Sequence, residues 1–428
     1  MKHSEELLYY IWKHRCFDHS LLKTASGEPL QVLQPGIRNH HAGPDFLQSI
    51  IRIGQTTWAG NVEMHFNASE WTSHRHETDE AYNTVILHVV WSADAEVFNE
   101  AGLKIPCLEL QSRVDRQMLK QYEDLMQNQK WVPCEGLFHT VNDFIKESWS
   151  HRLMAERLES KAVAVRQALD VQGQNWEEVC FQKLARALGT QVNGDAMELL
   201  ASCTPLHLIG KHKDQLLHVE ALLFGQSGLL EGPFEEDYPL RLQAEYSFFK
   251  NKYHLRPMNA SHWKFLRLRP ANFPTIRIAQ LAKIIYTTDH LFSKLMAAQT
   301  IKEIINSLDV TLGGYWTDHY SFKSESRSGR FKKLGLSTIQ YILINAVAPL
   351  LFCYGESQDD LQRKEKSMAY LQDLPAESNA LISGWIKLGW NPKHALHSQA
   401  QIQLKTQYCD EKKCLQCSIG HQILKFAP

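Results

Sequence analysis

Three side chains in the segment NHHAGPDFLQSIIRIGQTTWAGNVEMHF have the types and spacing to do chemistry together: Asp45, Glu63 and His65. Gly43-Pro44 forces a turn just before Asp45, so this carboxylate sits where a strand begins. Glu63 and His65 are two apart near the end of the next strand candidate, and strand alternation points both to one face. Two neighbouring strands would then aim Asp45 and Glu63 into one pocket. Paired carboxylates of this kind hold Mg²⁺ or Mn²⁺, which neutralises a scissile phosphate and lowers the pKa of an attacking water. A third side chain, here His65, orients or deprotonates that water. Just downstream come Trp71, His74, His76 and Asp79. If residues 68–82 are helical, His76 shares a face with Asp79 and Glu80, and His74, His76 and Asp79 become further metal ligands. His88, inside an apolar strand, reads as a core histidine.

A second constellation lies near the C-terminus. Cys409, Cys414 and Cys417 have metal-ligand spacing, suited to zinc or an iron–sulfur cluster. The fourth ligand stays open between His421, which would complete a Cys3His zinc site, and Cys353 or Cys16, which would complete a four-cysteine cluster. The other cysteines, Cys134 among them, are scattered and read as small buried hydrophobes. Lys412, Lys413 and Lys425 would suit phosphate.

A formal net charge of −1 gives no global attraction to nucleic acid, so any such binding must come from a local patch. The stretch 241–283 is rich in Lys and Arg, with Tyr246, Phe248, Phe249, Tyr253, Trp263, Phe265 and Phe273 interleaved. Within it Lys264, Arg267, Arg269 and Arg277 are the candidate contacts to DNA or RNA. A second basic stretch spans 323–333. No glycine-rich phosphate loop occurs, which argues against nucleotide-driven or dinucleotide-dependent chemistry. Charges interrupt the N-terminal apolar stretch, so no signal peptide is expected. The apolar run 339–354 is too short to span a bilayer and reads as a core helix. With 44% hydrophobic and 22% charged residues, the expected setting is the cytoplasm.

The elements that must position these residues follow from periodicity. Residues 3–15 form a helix with Leu7, Leu8, Ile11 and Trp12 on one face. Strands follow at 30–33, 45–53 and 57–66, then the helix 68–82 and a strand at 84–91, with one more at 105–110. From 113 onward the spacing is helical: 113–128, 141–170, 175–190, 195–202, 212–224, 240–253, 275–298, 299–308, 336–353, 357–371, 376–388 and 396–408. The expected fold class is therefore α+β: an α/β unit over 1–135, then a mostly helical domain over 136–428 ending in the cysteine-rich segment.

Pro44-Asp45, followed by Glu63-x-His65 in a helix, three strands, helix, strand order, resembles the PD-(D/E)XK nuclease core. The resemblance implies a restriction-endonuclease-like fold, metal ligation by Asp45, Glu63 and the Met64 carbonyl, and cleavage of nucleic acid. His65 departs from it, since the pattern has lysine there. Histidine would orient the water, or bind the metal and make the site softer. The chain as a whole also resembles a bacterial family of unknown function through GPDF, WAGNVEMH, VILHVVW and YCDEKKCLQCSIG.

Overall fold

The computed structural model describes residues 4–322, 324–325 and 329–426. Its contacts divide the chain into two units, Met1–Trp149 with Leu404–Pro428 and Ser150–Gln403. Sequence periodicity puts one boundary near 135 and leaves the tail in the helical domain. The tail instead belongs to the first unit, because helix Ser418–Phe426 and the turn Cys414–Gln416 pack on helices near the start of the chain.

In the first unit, α1 (Glu5–Lys13) carries acidic residues in its first turn and Lys13 in its last, both favourable for the helix dipole. Its buried face of Leu7, Leu8, Ile11 and Trp12 packs against the sheet. The sheet contains β1 (Leu30–Gln34), β2 (Ile37–Arg38), β3 (Phe46–Ile53), β4 (Thr56–Asn67), β5 (Val85–Ser92) and β6 (Cys107–Glu109). Its order is β1-β3-β4-β5-β6, with β2 also paired to β3. β3 and β4 form an antiparallel hairpin, closed where Gly54 takes φ +57 in a two-residue turn. β5 and β6 then add in parallel. A parallel neighbour needs a crossover, and residues 68–84 supply it.

That crossover departs from the expected single helix. It breaks into α2 (Glu70–Ser73) and two 3-10 turns, His76–Thr78 and Glu80–Tyr82, with Arg75 left-handed at φ 62 between them. Consequently His76 does not share a helical face with Asp79 or Glu80. β4 is buried on both faces only over its stretch 62–65: Val62 and Met64 point one way into the apolar core, Glu63 and His65 the other. The crossover roofs this second face with the fully buried Trp71.

The second unit is mostly helical, including Trp176–Leu188, Thr190–Cys203, Leu216–Gln226, Asp237–Tyr253 and Pro274–Thr287. Phe181, Leu222, Phe224, Leu281, Val347 and Leu351 belong to its large apolar core. The expected helix 275–298 is two, ending at Thr287 and restarting at Leu291 after a left-handed His290. Two small sheets were not expected: Thr311–Leu312 pairs with Lys332–Lys333, and His319–Ser321 with Ser324–Glu325. Of the basic stretch 323–333, Lys323 and residues 326–328 lie outside the described residues. The apolar run at 339–354 proves longer than expected. A π turn carries it on, so Leu336–Ser357 has the length and hydropathy to cross a membrane. It is 67% buried, as a core helix is.

Candidate metal centre

Asp45 and Glu63 meet where β3 and β4 run side by side, but their carboxylates are used differently. Arg38 Nη1 donates to Asp45 Oδ1 at 2.7 Å, and the Met64 amide donates to Oδ2 at 3.0 Å. The Arg38 guanidinium also lies over the Tyr9 ring, 3.6 Å from its centroid. Both oxygens of Asp45 are thus engaged, and the Met64 contact to the pair is made by its N–H. The Asp45 amide donates to Glu63 Oε2 at 3.0 Å. Glu63 Oε1 faces two imidazoles instead, His65 Nε2 at 3.6 Å and His76 Nε2 at 3.5 Å.

His65 Nε2 is 3.1 Å from His74 Nδ1, and the ligating nitrogens of His65, His74 and His76 lie within 4.8 Å of one another. Four ligands about 2.1 Å from a tetrahedral ion are separated by about 3.4 Å, close to the distances from His65 Nε2 to His74 Nδ1 and from Glu63 Oε1 to His65 and His76. His76 Nε2 is buried with no hydrogen-bond partner, a cost that a bound cation would remove. On the far side of His65, its Nδ1 is 2.9 Å from His88 Nε2. A proton on His65 Nδ1, shared with His88, leaves Nε2 free to ligate, as an outer partner does for a metal-bound histidine. Trp71 packs edge-on to His76 and tilted against His88, and Tyr82 stacks on His76 at 3.8 Å. The rings are therefore fixed in place.

Burial sets the protonation of these groups: His65 and His88 are neutral, and Glu63 holds a proton that a bound cation would have to displace. Burial, and then the charge on Asp45, push the Glu63 carboxyl up to about 9. Asp45 is also raised by burial, against the opposing pull of Arg38. Burial and the neighbouring imidazoles bring His65 down to about 2 and His88 to about 3. Neutral imidazoles are ligands, whereas imidazoliums are not. Three imidazoles and one carboxylate suit a borderline-soft ion such as Zn²⁺ better than the all-oxygen preference of Mg²⁺.

Of the sequence candidates, then, Glu63, His65, His74 and His76 converge, and Asp45 braces them. Asp79 does not join: it is exposed and its carboxylate accepts from the Ala81 amide at 2.9 Å, starting the second 3-10 turn. His88 is buried, as expected of a core histidine, and it also stands against His65 Nδ1. Its only signal was a histidine at the β5 position paired with Glu63.

Among the basic candidates, Lys264, Arg267 and Arg269 are exposed. Arg277 is not a surface contact at all. It is 5% exposed, and its guanidinium donates to Gln280, Asn272 and Thr338. Three of the seven interleaved aromatics are core as well: Tyr246, Phe249 and Trp263 are buried. Cys409, Cys414 and Cys417 do come together, and their fourth neighbour is Cys134. His421, expected there, sits 2.7 Å from the Tyr10 hydroxyl with its ring against His14. Lys412 bonds the Met126 carbonyl, which takes it away from any phosphate.

A search of curated proteins and of solved structures found no match to the chain. One family model does match, over residues 5–380, which takes in Glu63, the three histidines and Cys134 but ends before Cys409. The chain belongs to the family described as Protein of unknown function (DUF2851).

Proposed function

We propose that this protein is a metal-dependent hydrolase that cleaves phosphodiester bonds in nucleic acid. The observation that carries the metal is the convergence of Glu63, His65, His74 and His76, with His76 Nε2 buried and making no hydrogen bond among the described residues. The ion would be Zn²⁺ or Mn²⁺, the softer choice that His65 brings, and Mg²⁺ fits the donors less well. Bound there, it would supply an activated water and neutralise phosphate charge. The nuclease resemblance of Pro44-Asp45 and Glu63-x-His65 supports phosphodiester as the substrate class. So does Arg38, which places a cation beside Asp45 where the resemblance has a lysine at position 65. Lys264, Arg267 and Arg269 are the proposed phosphate contacts, and the buried Arg277 is not one.

The test is cleavage of single- and double-stranded DNA and RNA by chelator-stripped protein resupplied with Mg²⁺, Mn²⁺ or Zn²⁺. Cutting with Mn²⁺ or Zn²⁺ should fall about 100-fold or more in Glu63→Gln and His76→Ala. One observation favours a second reading, a nucleic-acid-binding module that has lost catalysis: both Asp45 oxygens are already occupied. Metal binding without cleavage of any polynucleotide would select it. Turnover of a small-molecule ester alone would instead point to a zinc hydrolase of another class.

A further inference from the structure

We infer that Cys134, Cys409, Cys414 and Cys417 form a second metal centre, a four-thiolate site for a thiophilic metal, separate from the histidine centre. All four belong to the first unit, and none is in a disulfide. Each thiol lies close enough to the other three to feel their charge. Four thiolates are the ligand set of structural zinc and of iron–sulfur clusters.

The surroundings are built to hold the sulfurs in place. Cys409 ends a π turn, Lys405–Cys409, and Cys414 opens the 3-10 turn Cys414–Gln416. Cys417 stands at the start of helix Ser418–Phe426, where its sulfur lies by the Ile419 and Gly420 amides. Donors aimed at a sulfur stabilise a thiolate and do little for a neutral thiol. Cys134 comes from a loop pinned on its own side: Asn128 donates to the Pro133 carbonyl at 2.7 Å, and the Leu137 amide to the Cys134 carbonyl at 3.0 Å. Two contacts bind this loop region to the tail. Lys405 Nζ lies 5.5 Å over the Trp131 ring, and Lys412 Nζ bonds the Met126 carbonyl. Cys414 and Cys417 are each 8% exposed, so a metal here would be shielded, as structural and electron-transfer centres are. The rival fourth ligands have other partners nearby: His421 meets Tyr10, and the Cys16 thiol points to the His14 carbonyl.

Elemental analysis and acid-labile sulfide measurement on the full chain, purified without oxygen, test this. Iron with matching sulfide and a broad visible absorption identifies an iron–sulfur cluster; zinc without sulfide identifies a closed zinc site; either supports the centre. The zinc count must be read against the histidine centre. Cys134→Ser and Cys414→Ser should therefore lose the thiolate metal while keeping the metal released by His74→Ala. His74→Ala should do the reverse, and His421→Ala and Cys16→Ser should lose neither. Absence of iron, and of any zinc beyond what His74→Ala removes, in the unmodified protein overturns the inference whether or not the cysteine variants fold. Retention of full metal in Cys134→Ser overturns the assignment of the fourth ligand.

Discussion

His65 is the residue on which the candidate site turns, and its ring is addressed from both nitrogens. Nε2 faces Glu63 and His74, while Nδ1 faces His88. If His88 sets the tautomer, removing its acceptor nitrogen should weaken metal binding about 10–100-fold, the usual cost of losing an outer partner. His88→Phe should show this in a competition titration with a zinc chelator, and His88→Gln, which keeps an acceptor, should recover most of it. Equal affinity in the two variants would sink the role given to His88. How far this was legible varies by residue. Glu63 and His65 were legible on one face because strand alternation is a local rule. Asp45 was placed correctly beside Glu63, but its occupation by Arg38 depends on β2, a two-residue strand with no sequence signal. Arg277 was misjudged because charge alone does not reveal burial. Cys134 was missed because nothing local ties it to a tail far downstream.

At the level of elements, the β4–β5 pairing is what delivers Glu63 and His65 next to His88, and it depends on a close approach at Gly60. A Cβ there would collide with the Ile86 side chain and the Thr84 carbonyl, at the start of the parallel ladder. Gly60→Ala should therefore cost about 1–3 kcal/mol, read as a lower denaturant midpoint for the first unit, and should loosen metal binding with it. Unchanged stability would show that β5 can shift without penalty. The same pairing explains which elements could be read in advance. β5, VILHVVWS, is a near-continuous apolar run, the mark of a strand buried on both faces. The crossover was not legible as built: its polar composition suits a helix, but Trp71 and Tyr82 must both reach the sheet, which favours short turns around a left-handed Arg75. Long helices of the second unit were placed within a few residues, and their breaks, such as the one at His290, were the part that periodicity hides.

For the molecule as a whole, pH offers a probe that is independent of either proposed metal. In the second unit Glu220 is 5% exposed, and burial pushes its carboxyl up to about 7 against the lowering influence of Tyr238, Trp316 and the Lys283 charge. A carboxyl raised in the folded state binds its proton more tightly there than in the unfolded chain. Stability from this group is therefore greatest below its unfolded pKa of 4.5 and falls as pH rises through about 7. Glu220→Gln should remove that slope, gaining on the order of 3 kcal/mol over the parent between pH 4.5 and pH 8. Urea unfolding at several pH values reads it, and parallel pH profiles for parent and variant would refute it. The two-unit division also shows where sequence reading stops. Composition shifts near 135, yet chain segments far apart in sequence share a unit because side chains at each end complete one another. That discontinuity has a consequence in time. A ribosome adding about 5–20 residues per second releases the sheet and its histidines first, then makes all of 150–403, and only at the end delivers the segment carrying Cys409, Cys414 and Cys417. The first unit is completed only after the second has been made, and for tens of seconds its Tyr10 and Trp131 await partners not yet synthesised.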